Sequence, residues 1–176
     1  LGQAEPRANE PAGFRTVVRV LATPDAIVVG IRADDPDPAG IVAFTKARDG
    51  SLDNEDYLKI VFDTYLDGRS GYVFAINPNG ARYDALVSRQ GEGENASWDA
   101  IWEAAAARTS TGWSAEVVVP AKRAAFLMNS RRLSHSDSEV ISDDGGGLGS
   151  LMPNSMRLAS QQLQRPRNWR VTPRAE

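Results

Sequence analysis

The side chains in this sequence that could do chemistry are mostly acidic and aromatic. Asp49, Asp53, Asn54, Glu55 and Asp56 lie close together and offer hard oxygen ligands of the kind calcium takes. Asp53 and Asp56 are the candidate metal ligands, and a solvated acidic loop is the alternative. The Asp-x-Asp-x-Asp-Gly spacing of a helix–loop–helix calcium loop is absent. Asp63 and Asp84 each follow an apolar run, where a carboxylate caps turn amides or pairs with arginine; Arg69 and Arg82 are available partners. The aromatics offer different chemistry. Flat rings stack on the C–H faces of pyranoses while neighbouring polar groups take the hydroxyls. The candidates are Trp98, Trp102, Tyr65 and Tyr83, with Arg69 and Asn77 as polar partners. Trp113 is expected in the core.

Catalytic chemistry is poorly provided for. His135 is the single histidine and lies in a poorly patterned stretch, so no Ser-His-Asp set assembles around it. The run Gly145-Gly146-Gly147-Leu148-Gly149 lacks the lysine of a phosphate-binding loop. Glu103 and Glu116 fall on neighbouring predicted strands, but paired carboxylates hydrolyse a glycoside only across a cleft. No catalytic residue is assigned. Met128, Met152, Met156 and His135 are the available haem ligands; all come late in the chain, and a haem or redox domain is discounted.

These groups must be positioned by strands. Thr16–Ala22 and Ala26–Asp34 flank the turn Thr23-Pro24-Asp25, and the second is apolar enough to be central in a sheet. Further strands are expected over residues 41–48, 57–64, 72–77, 81–87 and 113–119. Asn79-Gly80 is the strongest turn signal, because it supplies the positive φ of tight hairpins. Residues 98–108 are alanine-rich, yet pairing with 113–119 favours a strand over a helix. In that alternation Trp98 and Trp102 share a face. The expected class is an all-β antiparallel sandwich, jelly-roll or immunoglobulin-like. Beyond about residue 128 no period is visible, and eight serines lie between Ser130 and Ser160. Residues 129–176 therefore read as mostly loop or disorder, and the sandwich as lacking some terminal strands.

Composition bounds the partners. The chain has 176 residues, enough for one domain with a real core. It has no cysteine, which excludes disulfides, thiolate metal sites and a cysteine nucleophile. Residues 1–120 hold 11 Lys/Arg against 18 Asp/Glu, and residues 121–176 hold 9 against 5. The acidic first part argues against a nucleic-acid surface, and the basic tail lacks interleaved aromatics. No apolar run approaches the length of a membrane-spanning helix. The sequence starts at Leu1 without a methionine, as an excised or processed chain would.

The run YLKIVFDTYLDGRSGYVFAINPNGARYDALV, residues 57–87, resembles carbohydrate-binding module family 9, within the DOMON-like superfamily. More narrowly it is similar to the family 9-like module at the N-terminus of bacterial outer-membrane-barrel-type proteins. The matching features are Phe62-Asp63-Thr64, the loop Asp67-Gly68-Arg69-Ser70-Gly71-Tyr72, and Phe74-x-x-Asn77-Pro78-x-Gly80-Ala81 followed by Asp84. Ala26–Asp34 with Asp35-Pro36 looks like the family's ALYVGVRAYD strand. Residues 98–107 with Gly112-Trp113-x-x-Glu116 look like its WDxxWEAxxxxxxxGWxxE hairpin. The resemblance covers residues 5–122. The family's opening IDGxLDExxW segment has no match, and residues 123–176 depart from its pattern, as a truncated or frame-altered module would.

The resemblance implies a non-catalytic module capturing an oligosaccharide or polysaccharide, with structural calcium in many members. It also implies export to the periplasm, outer membrane or exterior, a covalently linked β-barrel in a longer protein, and a role in carbohydrate catabolism. The alternative is a structural or interaction sandwich without a sugar site. Burial of both Trp98 and Trp102 would favour that alternative.

Overall fold

The computed structural model describes residues 2–3, 13–64, 67, 69–87, 93–120, 139–142 and 156–161, with side chains described only within 13–120. Among the described residues, eleven strands make two sheets. They are β1 (Gly2–Gln3), β2 (Thr16–Ala22), β3 (Ala26–Asp34), β4 (Tyr57–Phe62), β5 (Gly71–Ile76), β6 (Arg82–Val87), β7 (Glu94–Asn95), β8 (Glu103–Thr109), β9 (Gly112–Pro120), β10 (Glu139–Ser142) and β11 (Met156–Gln161). One sheet runs β1-β11-β4-β5-β6-β7 and the other β10-β2-β3-β9-β8. All pairings are antiparallel except β1 against β11. The chain is an all-β sandwich.

Alternation explains the layers. Along β4, Leu58, Ile60 and Phe62 are buried while Tyr57, Lys59 and Val61 are half-buried. Val18, Val29, Ile31, Ala115, Val117 and Val119 face them from the other sheet in one core. Each such aliphatic contributes about 1.5–3 kcal/mol by leaving water. β3 is central, between β2 and β9, as its apolar run predicts. The β5–β6 turn closes on Gly80 at φ +82°, with Gly80 N–H donating to the Asn77 carbonyl at 2.9 Å. Gly112 opens β9 at φ +145°, and a Cβ there would meet the Ala33 carbonyl oxygen at 2.0 Å, so only glycine fits.

Three expectations need correction. No strand forms over 41–48, which follows a short 3-10 turn at Pro38–Gly40. The reason is that acidic side chains take its amides: Asp56 accepts from Val42 N–H, and Glu55 from Phe44 and Thr45 N–H. The second concerns the aromatic hairpin. β8 begins only at Glu103, so Trp98 and Trp102 lie in a non-strand approach and do not alternate on one strand face. The third concerns the tail. β10 pairs with β2, and β11 with β4, so residues read as loop supply strands to both sheets. These strands are short, and the rest of residues 129–176 lies outside the described residues. No helix among the described residues is long and apolar enough to cross a membrane.

Candidate functional site

The loop over residues 41–56 is pinned to the sandwich through two buried carboxylates. Glu55 is fully buried. Its oxygens accept from Phe44 N–H at 3.0 Å, Thr45 N–H at 3.1 Å, the Thr45 hydroxyl and Asn77 Nδ2 at 2.8 Å. Asn77 also donates to the Thr45 carbonyl at 2.9 Å. Its Oδ1 accepts from Asn79 and Ala81 N–H, fixing the hairpin turn. A buried carboxylate with four donors is satisfied without a cation.

Asp84, on β6, is the second anchor and is also fully buried. Oδ1 accepts from Arg48 Nη2 at 2.8 Å and from Trp102 Nε1 at 2.9 Å, and Oδ2 from Ala100 N–H at 2.6 Å. The same Arg48 nitrogen donates to the Ala100 carbonyl at 2.7 Å and to Asp99, whose side chain is 78% exposed. Arg48 Nε meets Asp49 at 3.3 Å. Arg82 donates to the Trp102 carbonyl at 2.7 Å and lies 5.7 Å from that ring's centroid, within cation–π range. Thus Arg48, Asp84 and Asp99 tie the 41–56 loop, β6 and the 98–102 segment into one rim. Ile101 is 66% exposed on this segment.

The predicted ligand residues divide. Trp98 stays half-buried, its ring 5.1 Å from Tyr72 and 6.1 Å from Phe74, next to exposed Asp99. Trp102 is buried, edge-on to Phe74 at 5.2 Å, so the two indoles form no shared exposed platform. Trp113 is buried, as expected. Asn77 is buried in the Glu55 network, which turns its side chain inward. Arg69 is exposed, and its backbone N–H donates to Asp67 at 2.7 Å. Amides of Arg69 and Ser70 hold the Asp67 carboxyl below its usual range. Tyr65 lies outside the described residues.

Tyr83 is half-buried and donates to Glu94 at 3.0 Å; Glu94 also meets Lys59 at 2.8 Å. Burial first, then the Glu94 carboxylate, pushes the Tyr83 phenol up to about 12. Its folded value lies above the unfolded one of about 10. The stabilisation is therefore complete below pH 10 and is lost as pH rises through 12. Alkaline unfolding is expected to begin in that window, with Tyr83→Phe flattening the slope. Denaturant midpoints measured against pH check this, and an unchanged slope in the variant contradicts it.

The two acids named as metal candidates stand apart in the structure. Asp53 is exposed and accepts from the Ser51 hydroxyl at 2.6 Å, whereas Asp56 is buried on the Val42 amide. Neither belongs to the one acidic trio among the described residues whose oxygens lie within 4.8 Å of one another, Asp49, Asp84 and Asp99. There the guanidinium of Arg48 already supplies the positive charge. Asp84 pairs with Arg48 rather than Arg69 or Arg82, and Asp63 accepts the Asp67 amide at 3.2 Å. Arg48 and Asp99 were missed because a contact 51 residues apart leaves no local pattern. Asp99 beside Trp98 was the only available hint.

No protein-family model, curated protein or solved structure matches the chain.

Proposed function

We propose that this sandwich is a non-catalytic module that captures a saccharide on the rim formed by Trp98, Asp99, Ile101 and Arg48. One observation carries the proposal: a half-buried indole adjoins an exposed carboxylate whose guanidinium partner is fixed from beneath by buried Asp84. An aromatic ring takes the apolar face of a pyranose, and a held charge pair orders its hydroxyls. The resemblance of residues 57–87 to family 9 carbohydrate-binding modules supports the same ligand class. It extends the proposal to an exported module joined to a β-barrel in a longer protein.

The use of the buried acids supports capture without chemistry. Glu55 and Asp84 are committed to donors in the fold. Glu103 and Glu116 stand exposed on the outer surface of neighbouring strands. Titration calorimetry with a panel of oligosaccharides tests the reading. The unmodified chain is expected to bind weakly, and Trp98→Ala to lose at least tenfold in affinity, which is about 1.4 kcal/mol. A folded chain that binds no saccharide overturns it.

A second reading, an interaction sandwich without a sugar site, is favoured by the burial of Trp102, which removes one of the two indoles of the expected platform, while Trp98 stays half-buried. The same titration separates the two readings.

A further inference from the structure

We infer that Asn79-Gly80 is a self-modifying site: the 41–56 loop holds back its deamidation, and deamidation, once done, releases that loop. The inference is independent of the saccharide reading. The dipeptide forms the β5–β6 turn, and the structure gives it a second role. Asn79 Nδ2 donates to the Ala43 carbonyl at 2.7 Å, so the side-chain amide ties the loop to the hairpin tip. Asn79 and Gly80 are half-buried at that tip, while Asn77 and Pro78 before them are buried. Gly80 stands at φ +82°, and no atom lies within 4 Å of where its Cβ would be. Its backbone nitrogen, free of a neighbouring Cβ, is the least hindered nucleophile a main chain offers, and it directly follows a side-chain amide.

The chemistry uses only this dipeptide and water. The Gly80 nitrogen attacks the Asn79 side-chain carbonyl carbon. The new C–N bond closes a cyclic imide, and ammonia leaves carrying the Gly80 amide proton. Water then adds to either imide carbonyl. Opening on one side gives aspartate, and on the other isoaspartate, in which the main chain runs through the former side chain.

Two hydrogen bonds oppose the first step in the folded chain. Asn79 Nδ2 is held on Ala43, and Gly80 N–H donates to the Asn77 carbonyl at 2.9 Å. The first of these depends on the loop. Glu55 keeps the loop in place by accepting from the amides of Phe44 and Thr45, the residues that follow Ala43. Local opening of a loop costs less than global unfolding, so loop opening sets the rate. The product cannot restore the bond. An aspartate at position 79 presents only acceptors to the Ala43 carbonyl, oxygen against oxygen. Isoaspartate also lengthens the backbone of a turn whose spacing Asn77 Oδ1 fixes through the amides of Asn79 and Ala81. Loss of ammonia makes the release one-way.

Incubation of the full chain in mildly alkaline buffer, with peptide mapping of aspartate and isoaspartate at position 79, tests this. A peptide spanning residues 76–83 gives the rate without a fold. The chain is expected to convert at least about tenfold more slowly than the peptide, and Glu55→Ala at least about tenfold faster than the chain. Asn79→Asp is expected to keep its circular dichroism while its Phe44 and Thr45 amides exchange faster than those of the unmodified chain. Equal conversion in peptide and chain overturns the inference, and so does equal conversion in the chain and a folded Glu55→Ala. Unchanged exchange at Phe44 in a folded Asn79→Asp overturns it as well. Should either variant lose its fold, the unmodified chain in denaturant below its unfolding transition decides. Conversion is expected to rise in step with Phe44 exchange while β3 amides stay protected, and conversion that tracks β3 exchange instead overturns it.

Discussion

Asp84→Ala is expected to lower folding stability by about 2–6 kcal/mol, about 1–3 kcal/mol for each of the two buried donors left unpaired. Three groups lose their acceptor at once: Arg48 Nη2, Ala100 N–H and Trp102 Nε1. Two of these donors belong to buried residues, and an unpaired buried donor costs its full desolvation. Arg48 keeps Asp99 and the Ala100 carbonyl, so its charge is not left bare. Asp99→Ala is the control. Its side chain is 78% exposed, so its loss costs about 1 kcal/mol or less. Denaturant unfolding followed by tryptophan fluorescence measures both. Similar losses for the two variants would show that Asp84 does not anchor the rim.

Glu55→Ala carries the second large effect, about 3 kcal/mol or more, because buried amide donors are left unpaired. Phe44 N–H, Thr45 N–H and Asn77 Nδ2 all point to the carboxylate. The damage is expected to start locally. Residues 41–56 make no strand, so the loop opens before the sheets do. Hydrogen exchange should show Phe44 and Thr45 amides losing protection while β3 and β9 keep theirs. Glu55→Gln retains one acceptor oxygen and should fall between the variant and the unmodified chain. Equal exchange at Phe44 in all three proteins would contradict the role given to Glu55.

The fold was legible where alternation and turn chemistry agree. Thr16–Ala22 and Ala26–Asp34 read directly as strands, because Thr23-Pro24-Asp25 separates two Val-rich runs. Asn79-Gly80 placed the β5–β6 turn for the same local reason. Residues 41–48 misled because their apolar spacing suits a strand, whereas Asp56 and Glu55 claim the amides a ladder would use. β10 and β11 were invisible because strands of four and six residues barely rise above a Ser- and Arg-rich background.

The site was less legible, since long-range contacts decide it. Trp98 stays half-buried beside exposed Asp99, in keeping with its place next to a polar loop. Trp102 was misjudged because β8 starts after it, and Asp84 then draws its indole N–H inward. Asn77 was chosen as a polar loop residue, but Glu55 turns it into a buried turn anchor. Asp53 and Asp56 stand close in sequence, yet one is exposed and the other serves Val42.

The claim that a saccharide rests on Trp98 is tested most directly by following the indole N–H signals during an oligosaccharide titration by nuclear magnetic resonance. Trp102 Nε1 is bonded to Asp84, and Trp113 is buried in the core, so both report on the interior. The account predicts that the Trp98 signal moves with added sugar, together with the Asp99 amide, while those of Trp102 and Trp113 stay in place. A Trp98 signal that stays fixed through titration with every saccharide tried would contradict it.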